Sequence, residues 1–461
     1  MDFNRPEEEE EQLRAQRRQR FSNTQAEQRY QKLLAQRAQR RQQLTAQGVY
    51  GTGGQLAEAR KIVGTCMLMC PEFELAEREL KNNISPQEFR PGTRQVDPQR
   101  TVKTFHRSAA GNEEPLPEDL RTPDTLLRTL DYLVNEVIGA DPELQNCHGF
   151  VRDRTRSIRQ DFTIQNIRDA STVAACERIA RFHILSLHVL CGNKDFAEQQ
   201  DMEQLRNTLK TLIELYDDHR RAGTHCPNEP EFYAYYIVAH LRDSDAKRVA
   251  ERLPRHIFTA PVVQQALKLH MLSESSNVVT TRCDPGSLFA AQNLFTQFFR
   301  AVASARTPPL MACLAEYRFP SIRRAALKAM CEAFPYQEGK EYPLEEFAAM
   351  LAFDSAEEVA EFCALFNVAL NQQGIKIGER AGSRVVYREP ENHPRRMRPN
   401  LRVVGSKLRM SPPQAINTNL DSSFLSPGSL ELLRSKEPAS GRLSGLSNGF
   451  AITSRTSFAA A

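Results

Sequence analysis

The sequence predicts a mainly α-helical protein: a tetratricopeptide-like helical array ending in a winged helix, with an extended segment before it and disordered tails on both sides. Three observations carry this. Apolar residues recur at helical spacing from Leu126 to about residue 334, interrupted by short polar turns. Between Tyr342 and Glu389 the pattern changes to two short helices and a hairpin. Towards both ends the composition turns polar and repetitive.

Residues 1–60 open with the acidic run Glu7 to Glu11 and continue Gln/Arg-rich. From Gln12 to Gln47 eight Arg and one Lys face a single acid, Glu27, a local charge of +8. Gln and Arg favour helix, but no apolar stripe runs through the stretch. A disordered segment or a solvated helix is expected there, ordered only against a partner and ended by Gly51 to Gly54. Such a basic island suits a polyanion or a nuclear import receptor as well as plain solvation.

Residues 61–121 carry Pro71, Pro86, Pro91, Pro98, Pro115 and Pro117, which break any long element. The segment is read as extended chain wrapped on the helical body, burying Val63, Met69, Phe73 and Phe105. The body spans 122–341. Thr122 caps its first helix, Pro123 takes the first helical position and Asp124 the first turn. Leu126, Leu127, Leu130, Val134, Val137 and Ile138 then share a face, and Gly139 closes the run. Further helices are expected near 150–165, 171–191, 198–220, 230–251, 262–273, 287–305, 309–317 and 320–334. Gly192, Gly223, Pro254, Pro261 and Pro308-Pro309 supply the stops.

The winged helix is placed at 342–389: helices over Pro343–Ala352 and Ala356–Asn371, then strands at Ile375–Ile377 and Val385–Tyr387 around a Gly378 to Ser383 turn. A helical array ending in a winged helix is the PCI architecture (proteasome lid, COP-nine signalosome, initiation factor three). Residues 390–461 are read as a disordered tail, basic over His393–Met410, with five Arg, one Lys and no acid, then Ser/Pro-rich.

Chemistry is sparse. The ten cysteines show no paired framework, no secretory signal is visible and no run of about 18 apolar residues exists, which points to a reducing compartment and away from a membrane span. No phosphate-cradling Gly-rich loop and no His-Glu-x-x-His occurs. The Gly445-x-Ser447-x-Gly449 match lies in a Ser/Gly-rich tail without the strand and helix a nucleophile elbow needs. A non-enzymatic protein without cofactor is expected. Cys66 and Cys70 form a Cys-x-x-x-Cys pair lacking a second close pair, so packing of two small thiols is preferred to zinc.

Basic side chains supply the binding candidates. Lys376, Arg380, Arg384 and Arg388 decorate the expected wing, and Arg395, Arg396 and Arg398 extend the strip towards Arg402, Lys407 and Arg409. Wings lie along phosphate backbones, so RNA binding without sequence preference is one reading; a solvated edge or a nuclear localisation signal is the other. Arg152, Arg154, Arg156 and Arg159 crowd one helix, either as a solvated or as a polyanion-binding face. Lys103, Arg107 and Arg121 would either touch a partner or anchor irregular chain to acidic helix residues.

Gly64-Thr65-Cys66-Met67-Leu68-Met69-Cys70-Pro71-Glu72-Phe73-Glu74, the run Glu77-Arg78-Glu79, Val102 to Gly111 and Asp119-Leu120-Arg121-Thr122-Pro123 follow in order. Their order and spacing resemble the Sac/GANP family of nuclear mRNA-export scaffolds. The resemblance implies a PCI body that pairs with a second PCI-domain protein and a small acidic companion, joined winged helices that bind RNA, and contact with the nuclear pore. It assigns Gly64, Thr65, Cys66, Cys70, Pro71, Glu72, Lys103, Arg107, Gly111 and Arg121 to the family motif. Short, domain-only members are the better likeness, one of them associated with centrosomes and the spindle, so a centrosomal factor in the cytoplasm stands as the alternative to nuclear export. A subunit of another PCI assembly is a third reading, resting on architecture.

Overall fold

Thr122 accepts a hydrogen bond from the amide of Thr125 and starts helix α3, Pro123–Asp131, as its cap chemistry predicts. The computed structural model describes residues 25–47, 62–107, 115–141, 143–241, 245–276, 292–333, 341–371, 374–376, 387–388, 390, 396 and 398–425. The Glu7–Glu11 run, the Gly51–Gly54 stop, Gly111, Arg380, Arg384, Arg395, the strand at Val385-Val386 and the Gly445–Gly449 tract lie outside them.

Two helices precede α3: α1, Gln25–Ala46, and α2, Glu72–Leu80. After Asp131 the helix widens into π-helical turns over Tyr132–Ile138. Helices α4 (Leu144–Ile164), α5 (Ala170–Val189), α6 (Glu198–Arg221) and α7 (Glu229–Ala239) follow. The single helix expected over 230–251 is two, since α8 covers Asp245–Glu251. Then come α9 (Arg255–Phe258), α10 (Pro261–Glu274), α11 (Phe295–Ala303), α12 (Pro309–Glu316) and α13 (Phe319–Ala333). Neighbours in sequence pack on one another, α5 on α6, α6 on α7 and α10 on α11, which gives the stacked array.

Two hydrophobic cores result, and α5 is the wall they share. Val173, Cys176, Ala180, Ile184 and Leu187 face the larger core, which runs on through α13 to the C-terminal elements. Ala175, Ile179, Phe182, Leu185 and Leu190 face the smaller one, built with α3 and α4. A helix apolar all round has to be covered all round. Each buried charged or imidazole side chain on it meets a partner: Glu177 with Tyr216 (2.7 Å), Arg181 with Glu231 (2.9 Å), His183, through Nδ1 alone, with Asp201 (3.1 Å) and His188 with Glu316 (2.6 Å).

The region expected to be a winged helix begins with α14, Leu344–Met350, and α15, Ala356–Leu365, capped by the Ser355 hydroxyl. Helix α15 is shorter than predicted because Asn367 adopts φ 58°, a left-handed conformation Asn tolerates, and reverses the chain. The antiparallel pair is β1, Leu370–Asn371, with β2, Gly374–Ile375, and Tyr342 bridges to Ile375 on the other side. Ile375 thus pairs with Leu370 and Tyr342, where the sequence suggested pairing with a later strand. A Cβ at Gly374 would stand 2.2 Å from the Tyr342 carbonyl oxygen, so only glycine fits there. Tyr387 stacks on Phe366 as the chain comes back past α15.

The expected tail is a correction. Residues 398–425 fold as a strap with α16 (Pro412–Asn417) and α17 (Ser422–Leu425), and it crosses both cores. Val404 is buried in the larger, Ala415 and Ile416 in the smaller. Lys407 donates to the carbonyls of Ser304 (2.6 Å) and Thr307 (3.1 Å). Ser/Pro/Asn-rich composition concealed it because a few well-placed apolar residues suffice to hold a strap.

Candidate functional site

The motif segment is laid on α4 and held by three buried carboxylates. Asp161 of α4 takes the Lys103 ammonium at 2.7 Å on one oxygen and the Arg121 Nε at 2.7 Å on the other. Arg121 is fully buried and also donates to the Ser157 hydroxyl (2.8 Å), while Lys103 reaches the Asp119 carbonyl (2.7 Å). Glu88 pairs with Arg78 and with Arg154 of α4 (3.3 Å) and accepts the Val102 amide (3.0 Å). Burial pushes the Glu88 carboxyl up, but the two guanidinium groups outweigh it and hold it below the usual range. Glu74 accepts the amide (2.6 Å) and hydroxyl (2.7 Å) of Thr104. Burial raises its pKa as well, and the His106 contact and the Thr104 bonds reverse the shift.

The motif's small residues make this approach feasible. The Gly64 amide donates to Gln165 Oε1 at 2.8 Å, and a Cβ at Gly64 would meet the Leu120 carbonyl oxygen at 2.5 Å. Thr65 and Cys66 donate to the carbonyls of Pro117 (2.9 Å) and Leu120 (3.0 Å), so Cys66 and Arg121 pair as parallel strands do. Cys66 and Cys70 are buried free thiols; burial pushes the Cys66 thiol up, and Cys70 more strongly. Among the described residues no cluster of His, Cys, Asp and Glu fits a metal. Pro71 precedes α2 and Glu72 occupies its first turn, exposed. Arg107 is exposed. Val63, expected inside, is 64% exposed, whereas Met69, Phe73 and Phe105 are half-buried.

The arginine-rich face of α4 is neither solvated nor open to a polyanion throughout. Arg154 is buried on Glu88, and the Arg156 guanidinium lies 3.9 Å from the centre of the Phe105 ring. These residues anchor the motif segment. The anchoring carboxylates carry no mark in the sequence: Asp161 follows a run of arginines, and Glu88 lies among prolines.

The basic strip divides. Lys376 is half-buried next to β2, Arg388 is exposed, and Arg398 is exposed and paired with Glu361. Arg396 is a correction. It is 7% exposed, bound to Glu198 and the Leu187 carbonyl, and 3.3 Å from Glu316, so it latches the strap to α5 and α12 and is closed to RNA. Lys407 is likewise engaged, and burial lowers its pKa to about 8.

The SAC3/GANP family model matches residues 69–372, from inside the motif segment to the β1–β2 hairpin. This chain belongs to the SAC3/GANP family. Among curated family relatives, SAC3 family protein 1 of Schizosaccharomyces pombe is 46% identical over 360 residues, 77% of this chain and 35% of that protein. Protein xmas of Drosophila melanogaster is 30% identical over 323 residues, 68% of this chain and 15% of that protein. SAC3 family protein B of Arabidopsis thaliana is 29% identical over 289 residues, 60% and 16% of the two chains. The chain thus spans about a third or less of these SAC3/GANP relatives. The family match takes in Cys70 and the clamp that Lys103 and Arg121 form on Asp161, but begins after Gly64 and Cys66 and ends before the strap. No helix among the described residues is long and apolar enough to cross a membrane.

Proposed function

We propose that this chain is the helical core of a nuclear mRNA-export scaffold that pairs with a second PCI-domain protein and a small acidic companion and presents its winged helix to RNA. The observation that carries the reading is the SAC3/GANP match over the helical body, residues 69–372. The motif's chemistry supports it. Lys103, Arg121 and the buried cysteines serve internal packing, so function falls to the molecule's surfaces rather than to a catalytic site. The wing's basic residues Lys376, Arg388 and Arg398, together with Arg380, Arg384 and Arg395, would contact phosphates, a contact that gives affinity without base choice. Nuclear residence, with contact at the pore, accompanies this reading.

Purification of the tagged chain under native conditions should bring down a PCI-domain protein, and acute depletion should accumulate polyadenylated RNA in the nucleus. Depletion that leaves nuclear RNA unchanged, with no PCI-domain protein co-purifying, would overturn the proposal. In the reconstituted pair, replacing Lys376, Arg388 and Arg398 by Ala should lower RNA affinity several-fold and flatten its salt dependence.

A further inference from the structure

Helix α1 carries Arg29, Lys32, Arg37, Arg40 and Arg41 against one acid, Glu27. Carboxylates of the motif segment take up three of these arginines. Arg29 stands 3.6 Å from Glu79, Arg40 stands 3.0 Å from Glu118, and Arg37 pairs with Asp119. At roughly 100° per residue the three fall within an arc of about 80°, so they form one face. On that face Tyr30 stacks on Phe73 with centroids 5.5 Å apart, and the Arg37 guanidinium lies 4.6 Å from the same ring. Apolar burial adds little. Leu44 is buried, but Leu34 is 40% exposed, and an open groove of about 540 Å³ runs between α1 and Met67, Leu68 and Leu116. Exposed ion pairs contribute little, and less in salt, and of the three only Arg37–Asp119 is largely covered. Stacking and guanidinium–carboxylate pairs, rather than a core, dock α1.

We infer that α1 is a second nucleic-acid-binding element, separate from the wing, whose docking on the motif segment and whose grip on single-stranded RNA exclude each other. RNA offers the two chemistries that hold α1 in place. Bases stack where Phe73 does, and phosphates accept the guanidinium forks that Glu79, Glu118 and Asp119 now hold. A plain acidic tract would match the charge and not the stacking. RNA bound at α1 therefore also uncovers the groove beside Met67 and Leu68.

The chain contains no tryptophan, so Tyr30→Trp in this 461-residue chain gives a reporter of its own at the docking face. Oligo(U) should quench its emission as uracil replaces Phe73. Glu79→Gln with Glu118→Gln should raise the affinity read at position 30 about threefold or more by weakening the competitor. Exchanging the charges of one pair, Arg40→Glu with Glu118→Lys, should keep α1 docked and lower that affinity several-fold. The Lys376, Arg388 and Arg398 alanine set should leave the position-30 response unchanged, which separates this site from the wing. Oligo(U) binding with no change at position 30 would overturn the inference. So would equal displacement by poly-glutamate at matched charge, which would hand the face to an acidic protein.

Discussion

Two stretches of irregular chain lie across the helices, the motif segment at 62–121 and the strap at 398–425, and they are fastened by different balances of charge and apolar burial. The first is held by charge: Asp161, Glu88 and Glu74 are buried and each accepts from two or more donors. The second is plugged along its length by apolar residues, Val404, Ala415 and Ile416, and uses carboxylates only at its start, where Glu316 accepts the Asn400 amide (2.6 Å) and Asp354 the amides of Leu401 (2.7 Å) and Arg402 (2.9 Å). A buried carboxylate demands its cations, because leaving one unpaired costs more than the pair contributes. A small apolar plug demands only shape. Ionic fastening is therefore the more brittle of the two and the more visible in a sequence.

Asp161→Ala tests the brittle side. It strands Lys103 and Arg121 together without water, and the stability lost in denaturant unfolding should be about 3–5 kcal/mol. Ile416→Ala tests the apolar side and should cost about 2–4 kcal/mol, the range for a fully buried aliphatic side chain. If the second loss exceeds the first, the contrast is reversed. Arg396→Met sits between the two regimes, since it removes a latch of the strap while His188 and the Asn400 amide still satisfy Glu316. A loss of about 1–2 kcal/mol is expected, with RNA affinity of the reconstituted pair unchanged.

The smallest effect is that of pH at the edge of the motif segment. His106 is raised above its usual value of 6.5, chiefly by its contact with Glu74, and Glu74 is lowered from 4.5. The histidine's contribution is complete below about pH 6.5 and is lost as pH rises through the raised value; the carboxylate's is present above about 4.5 and lost on acidification. Amide protection at Thr104 to Arg107, corrected for the intrinsic pH dependence of exchange, should be greatest between these limits and fall on the alkaline side. His106→Ala should abolish that alkaline change while leaving global stability within about 0.5 kcal/mol.

The helical body was readable because its signals are local. The Thr122 cap, the leucines of α6 and the stops at Gly192 and Gly223 each act within one turn, and both glycines adopt positive φ. The clamp was half readable. Lys103 and Arg121 stood out as charges in a motif, and anchoring was one of the two roles open to them. Asp161, 58 residues from Lys103, carries no mark of its own, since an acid among Arg152 to Arg159 looks like ordinary charge balance. The strap was unreadable for a different reason. Its amphipathic stretches are four to six residues long, too short for a period to show. The β1 strand was hidden because a helical pattern runs on past Leu365, and nothing in composition announces the left-handed turn at Asn367.

Ile416 completes a core whose other walls, α3, α4 and α5, are made of residues 126–190. On the ribosome that core emerges early and waits for its last piece. At about 5–20 residues per second, the 226 residues from Leu190 to Ile416 take roughly 10–45 s to synthesise. Through that interval the apolar seat of Ile416 faces the cell uncovered. The nascent chain thus carries a vacancy that its own late sequence must fill, and a chaperone that shields apolar surface during synthesis would have this seat as a natural client.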